Sequence, residues 1–447
     1  MLITEKEAQS ITDKILGFVK ADDAAVGIRS ETHSHLRFAA NSFLTSGRTE
    51  NVSATITVWI DKKRGAASTN DVEDASLKQM VDQAEGLARI APVDREYLPT
   101  LRAQIYKATQ RYADSTVNIP LGDRARQIDN AISASEKAGV VSAGFHQAGA
   151  IATADATKNG NFGYELTSSV SLSITARTPD GEGSGFFMRN HFDVARLDTG
   201  RIAREAIRRA LESRGARTLE PGVCSVILEA QAVADLLSGP GLGFDARNAD
   251  EGRSPFSASG GKTRLGEKIF DERLSILSDP WRPELPGSRA AQAGLPAHVV
   301  YLVRNGVLEN LVFSRFWAQE KNKQPTPGPV NRIMESSALP ASVEEMIRAT
   351  PRGLLVGRFF YIRAVDPRTA TLTGLTRDGV WYVENGQVRY AVRNFRFNQS
   401  IIQMLAPGNV EMIGAPERVS SSEGGNAALL PALKLRAFTF TSQSEAV

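Results

Sequence analysis

Residues 51–61 alternate with a period of two: Val52, Ala54, Ile56, Val58 and Ile60 fall on one side, and Ser53, Thr55, Thr57 and Trp59 on the other. Side chains of a strand switch faces at every residue, so this segment predicts a strand with one face against a core. Tyr164–Arg177 repeats the pattern through Val170, Leu172 and Ile174. Val140–Ala156 and Ala24–Arg29 also read as strands, and Gly65–Asn70 as a continuation of 51–61 into a turn. Helical signals sit between them. Thr4 and Glu7 form a capping box ahead of Ala8, Ile11, Ile15 and Val19. Further helices are predicted over 75–90, stopped by Pro92, over 121–139, and over Asp193–Arg214. The last carries arginines at 196, 201, 204, 208 and 209, read as a solvated basic face.

Pro221-Gly222 breaks the chain, and the character of the sequence changes there. Residues 1–220 read as an N-terminal α/β domain with strands and flanking helices. Residues 221–447 read as a C-terminal domain dominated by antiparallel strands, a large sheet or a barrel-like form. The fold class is α+β. Two Asn-Gly pairs support the second half. Asn305-Gly306 joins Val299–Val303 to Val307–Phe313, and Asn385-Gly386 joins Val380–Val383 to Val388–Val392. Asn and Gly tolerate the positive φ of a type I′ turn. Ser342 with Glu345 is a second capping box, and Leu429–Thr441 reads as a final strand.

Of 447 residues, 42% are hydrophobic and 23% charged, enough apolar material for two large cores. No stretch approaches the roughly 18 apolar residues of a membrane span. The segment Met1–Glu7 lacks the plan of a signal peptide, so a cytoplasmic location is expected. The net charge of +3 is interspersed, which argues against nucleic acid and membrane partners. One cysteine excludes a disulfide framework, and five histidines leave few routes to a metal.

Local motifs carry little chemistry by themselves. Gly261-Lys262-Thr263 lacks the earlier glycine of a phosphate loop, where Phe256 stands. Gly239, Gly241 and Gly243 fail as a dinucleotide fingerprint because Phe244 takes the last glycine position. His33 and His35 would share one face of a strand and are the weak metal candidates, though no spacing marks a third ligand. Cys224 opens an apolar strand without a local histidine and reads as a packed hydrophobe. Asp250–Ser254 reads as a polar turn with a local ion pair.

The whole chain resembles the TldD/PmbA family, the metallopeptidase-like "modulator of DNA gyrase" proteins. The resemblance is distributed over Arg37–Ser42, Val58–Asn70, Ala84–Arg89 and Ala91-Pro92 in the first half. In the second it runs through Pro221–Leu237, Ser257–Pro280, Leu302–Leu308, Gly353–Val356 and Asn385-Gly386. It implies an N-terminal α/β domain, a β-rich C-terminal domain, and a dimer enclosing a chamber. The family's catalytic branch carries His-Glu-x-x-x-His on a helix, two zinc ligands and a base, and a later cysteine as a further ligand.

This chain departs at those positions. Ser238 and Gly243 stand where the histidines would be, and Gly239 where the glutamate would be. Pro240 would disturb a helix there. Residues 418–425, Arg-Val-Ser-Ser-Ser-Glu-Gly-Gly, hold no cysteine. The resemblance therefore implies the metal-free TldE/PmbA-type branch, with no catalytic residue of its own and no cofactor, zinc entering only through a divergent site. The implied role is the non-catalytic subunit of a peptide-processing protease, paired with a zinc-bearing TldD-type relative. The alternatives are a stand-alone peptide-binding homodimer, and a peptidase with a divergent site at His33 and His35 or at Cys224.

Overall fold

The structure is a computed structural model that describes residues 2–237 and 242–444. Six strands of the first half form one antiparallel sheet. They are β1 (Asp23–Ala39), β2 (Ser42–Ile60), β3 (Lys63–Thr69), β4 (Val141–Thr157), β5 (Phe162–Arg177) and β6 (Ser184–His191), in the order β3-β2-β1-β4-β5-β6. The helices of this half are α1 (Glu5–Phe18), α2 (Asp74–Ile90), α3 (Asp114–Val117), α4 (Leu121–Lys137) and α5 (Thr199–Glu212).

The sheet's period-two pattern dictates one covered face. Val26, Ile56 and Val58 are buried with Ile15 of α1 and Leu77, Val81 and Ala84 of α2. Leu172 and Ile174 are buried with Ile128 and Ile132 of α4 and Ile202 and Ala206 of α5. Residues one position out of phase, such as Arg29, His33 and Thr55, line the opposite face. Burial of the apolar set from water is what holds helices to sheet.

Three details differ from the sequence reading. Strand 24–29 extends to Ala39 and strand 51–61 begins at Ser42, because Ala40 and Asn41 (φ 50° and 56°) make a two-residue turn between them. Residues 65–70 do not continue β2. Asp61 and Lys62 (φ 50° and 63°) reverse the chain, and β3 pairs back on β2. Neither turn contains glycine, so the usual signal for this reversal was missing. The basic face of α5 is only partly solvated. Arg204 and Arg208 have 70% and 45% of their side chains exposed, but Arg209 has 3% and pairs with Glu229.

The second half is built on a thirteen-stranded sheet. Its hub is the last strand, Ala428–Gln443, which pairs with β7 (Gly222–Leu228) and with strands 332–336, 395–400 and 410–419. The strand order does not close on itself, so the large-sheet form holds and the barrel-like one does not. The sheet is also mixed: 332–336 runs parallel to the last strand, and 352–356 parallel to β7. Both Asn-Gly turns form with positive φ at each residue, and the Ser342–Glu345 capping box is made. β7 leads into α6 (Ala230–Leu237), every residue of which is buried. Among the described residues no helix is long and apolar enough to cross a membrane.

Candidate functional site

Helix α6 reads Ala-Gln-Ala-Val-Ala-Asp-Leu-Leu, and its two polar residues are four apart, hence on one face. Asp235 is fully buried there. Its carboxylate accepts the backbone N–H of Ser422 (2.7 Å) and of Phe359 (2.9 Å), and Nε2 of Gln231 (3.1 Å). The Gln231 amide also donates to the Ser420 carbonyl (2.6 Å), and the Ser422 hydroxyl to the Phe359 carbonyl (3.2 Å). Glu423 accepts the N–H of Ile362 (2.9 Å). Burial pushes the Asp235 carboxyl up to about 6, opposed by the two N–H donors and by the charge of Arg358. The network ties α6, strand 359–366 and segment 420–423 together. Two of these, the end of α6 and segment 420–423, adjoin or fall within the stretches where the family resemblance places its metal ligands.

Of the residues expected at the motif itself, Gly243 is described and sits in the loop between buried Leu242 and Phe244. Ser238 and Gly239, with Pro240 and Gly241, lie outside the described residues.

A cleft of about 1050 Å³ opens beside the N-terminal end of α6, between α5, β6 and the second half. Its walls are charged. Arg209 of α5 pairs with Glu229, and Glu417 faces Arg189 (3.0 Å) and Arg201 (3.9 Å). Arg189 also lies over the Phe187 ring, 4.1 Å from its centre. A groove with fixed, mutually paired charges and an apolar floor suits an extended polar chain more than a compact apolar ligand.

The other sequence candidates lie elsewhere. His33 and His35 share the uncovered face of β1, with ring centres 6.2 Å apart. His33 Nε2 meets Gln147 Oε1 at 3.0 Å, and His35 packs beside Phe145. His146 faces α4 on the opposite side of the sheet, where it contacts Arg124 and Gln127. Strand alternation thus divides these histidines between the two faces. Among the described residues no three His, Cys, Asp or Glu side chains converge as a metal site would require. Cys224 is partly buried on β7, and burial pushes its thiol up to about 11, so little thiolate exists near neutral pH. Glu251 pairs with Arg247 and Arg253 in the expected polar turn, and Asp250 accepts the Trp317 indole N–H at 2.7 Å. Lys262-Thr263 pairs with Ser257-Ala258 in a short hairpin of its own, not a phosphate loop opening a helix.

The sequence reading missed Gln231, Asp235 and Glu423. A pair of polar residues at helical spacing inside an otherwise apolar run was the available signal.

Residues 24–88 match domain 1 of the PmbA/TldA metallopeptidases, residues 112–214 the central domain, and residues 221–442 the C-terminal domain. No curated protein matches the chain. Among solved structures, a putative modulator of DNA gyrase from Thermotoga maritima superposes with a TM-score of 0.82 at 17% identity, covering 97% of this chain and 100% of that one. TldE from Thermococcus kodakarensis gives 0.81 at 16% identity, covering 98% and 99%. A putative modulator of DNA gyrase from Bacteroides thetaiotaomicron gives 0.79 at 17%, covering 99% and 100%.

Proposed function

The chain belongs to the PmbA/TldD metallopeptidase family, and we propose that within it the protein is a metal-free subunit that partners a zinc-bearing relative in peptide processing. One observation carries the reading. Residues 230–243 contain no histidine and no glutamate, and residues 418–425 contain no cysteine, so ligands and base are missing together. Of the side chains that remain beside α6, Asp235 and Glu423 already accept backbone N–H groups. Zinc prefers three or four nitrogen, sulfur or carboxylate donors held open toward it, and this donor set does not fit. No hydrolytic step is therefore assigned to this chain.

What remains is a scaffold that supports the paired subunit and a charged cleft along which a peptide can lie. The likeness to TldE is one of fold and supports the choice of branch only to that extent.

Co-expression with a relative bearing His-Glu-x-x-x-His tests the proposal. The expected result is a stable mixed complex with peptidase activity that is lost when the relative's glutamate is replaced. Failure of the two chains to associate at micromolar concentration would overturn it. Zinc-dependent peptidase activity of this chain alone would do the same, and would favour a divergent site.

A further inference from the structure

The uncovered face of the first sheet is closed at one end by residues 288–294 and 314–316 of the second half, enclosing a cleft of about 710 Å³. Arg289 stands in its wall. Its side chain is buried, at 9% exposure, yet the guanidinium makes no hydrogen bond or ion pair among the described residues, and its Nε is fully enclosed without a partner. Buried cations are ordinarily paired, because an unpaired one gives up hydration without compensation.

The surroundings hold this group in place, facing the Asp155 carboxyl but without a direct ion pair. The guanidinium lies against the backbone at Gly163, where an added Cβ would come within 2.3 Å of Nη1 and push it aside. It also lies over the Tyr106 ring at 4.7 Å. The Tyr106 hydroxyl is fixed in turn, donating to the Gly294 carbonyl (2.6 Å) and accepting from Asn161 (2.8 Å). Glu165, the nearby acid, is taken up by the Ser288 hydroxyl (2.8 Å), the Arg289 backbone N–H (3.1 Å) and Arg111 (3.6 Å). Asp155 shares the wall; burial, with the charge of Glu165, holds its carboxyl above the usual range, while the charge of Arg289 pulls it the other way. Trp59 adds a second orphan donor: its indole Nε1 is buried without a partner, and its ring packs on Tyr97 at 5.7 Å. The terminal nitrogens of Arg289, neither bonded nor fully enclosed, stand beside an aromatic wall, which suits an acceptor-bearing ligand with an apolar neighbour group.

We propose that this cleft captures the C-terminal carboxylate of a short peptide, with Arg289 as the anion anchor and the Trp59–Tyr97 wall beside the last side chain. A planar guanidinium presents paired N–H donors that match a carboxylate, which suits it to this task better than a lysine. The choice of a peptide as ligand rests on the peptide-processing reading above; the anion site does not.

Calorimetric titration of the isolated chain with an acetylated tripeptide ending in leucine tests this, the peptide carrying either a free carboxylate or a C-terminal amide. The acid is expected to bind at least about tenfold tighter than the amide, the scale of one charge-assisted hydrogen bond. Arg289→Gln should abolish that discrimination, and Arg289→Lys should restore part of it. Arg289→Gln gives up the stacking on Tyr106 and the charge facing Asp155, so a modest fall in Tm is expected and the acid-to-amide ratio carries the test. A purely structural arginine would lower the Tm without moving the acid-to-amide ratio. Equal binding of acid and amide, no binding of the acid at millimolar concentration, or an Arg289→Gln chain that still discriminates would each overturn the proposal. Should the variant not fold, the wild-type acid-to-amide ratio decides alone. Formation of the mixed complex is a separate measurement, so failure of either reading is seen without the other.

Discussion

His146 is wholly buried between β4 and α4, and its bonds require a neutral ring. Arg124 Nε donates to Nδ1 at 3.4 Å, and Nε2 meets Gln127 Oε1 at 3.0 Å. A proton on Nδ1 would face the arginine N–H directly. Burial, with Arg124 adding to it, lowers the ring to about 4. The unfolded chain titrates near 6.5, so below that pH the unfolded state binds the extra proton and the folded state does not. Stability from this site is complete above about pH 6.5 and is lost as pH falls toward 4, by about 3 kcal/mol in all. Urea unfolding across that range should show the loss, and His146→Gln should flatten it. A slope equal in both proteins would show that His146 is not its source.

At the scale of elements, two glycines set how closely helices approach the first sheet. A Cβ on Gly65 of β3 would lie 2.0 Å from the Ala84 carbonyl oxygen and 2.5 Å from the Ala88 nitrogen of α2. On Gly185 of β6 it would lie 2.2 Å from the Ala206 oxygen and 2.4 Å from the Ala210 nitrogen of α5. These contacts are with helix backbone, which cannot give way like a side-chain tip. Gly65→Ala and Gly185→Ala should each cost about 1–3 kcal/mol or more, as overpacking does. Gly86 is the contrast. It lies inside α2 with nothing within 4 Å of where an added methyl would sit, so Gly86→Ala should stabilise by about 0.5–1 kcal/mol. Urea midpoints that moved in the same direction for Gly86 and Gly185 would refute the account. The helices and strands themselves were legible because each has a one-sided pattern and ordinary stop signals. The turns at Ala40-Asn41 and Asp61-Lys62 were not, because their conformations are imposed by the register of long paired strands more than by local residue choice.

Across the whole molecule, the two halves are joined by buried charge. Arg209 of α5 pairs with Glu229, just after β7, with 3% and 17% of the side chains exposed. Asp378 accepts from the Ser184 hydroxyl and pairs with Arg358 at 3.0 Å, and that guanidinium lies 4.0 Å over the Phe186 ring. Removing one partner strands the other away from water. Glu229→Ala should therefore cost about 3–5 kcal/mol, and pairing it with Arg209→Met should recover much of that. Proteolysis at the 213–221 connection should quicken in the single variant and return toward normal in the double. Equal cleavage in all three proteins would show that this pair does not hold the halves together.

Periodicity, capping residues and Asn-Gly pairs sufficed for the α+β class and for the existence of most helices and strands of the first half, because these depend on neighbours within a few positions. That residues 230–243 hold no histidine and no glutamate was equally a matter of residue identity. Tertiary structure alone decided that Asp235 and Gln231 meet segment 420–423, that one of the four arginines on α5 is buried, and that Arg289 lines a cleft with Trp59 without a direct ion pair. Each of those depends on which segments share a desolvated space, and whether a charge there is satisfied depends on groups from 20 to 187 residues away.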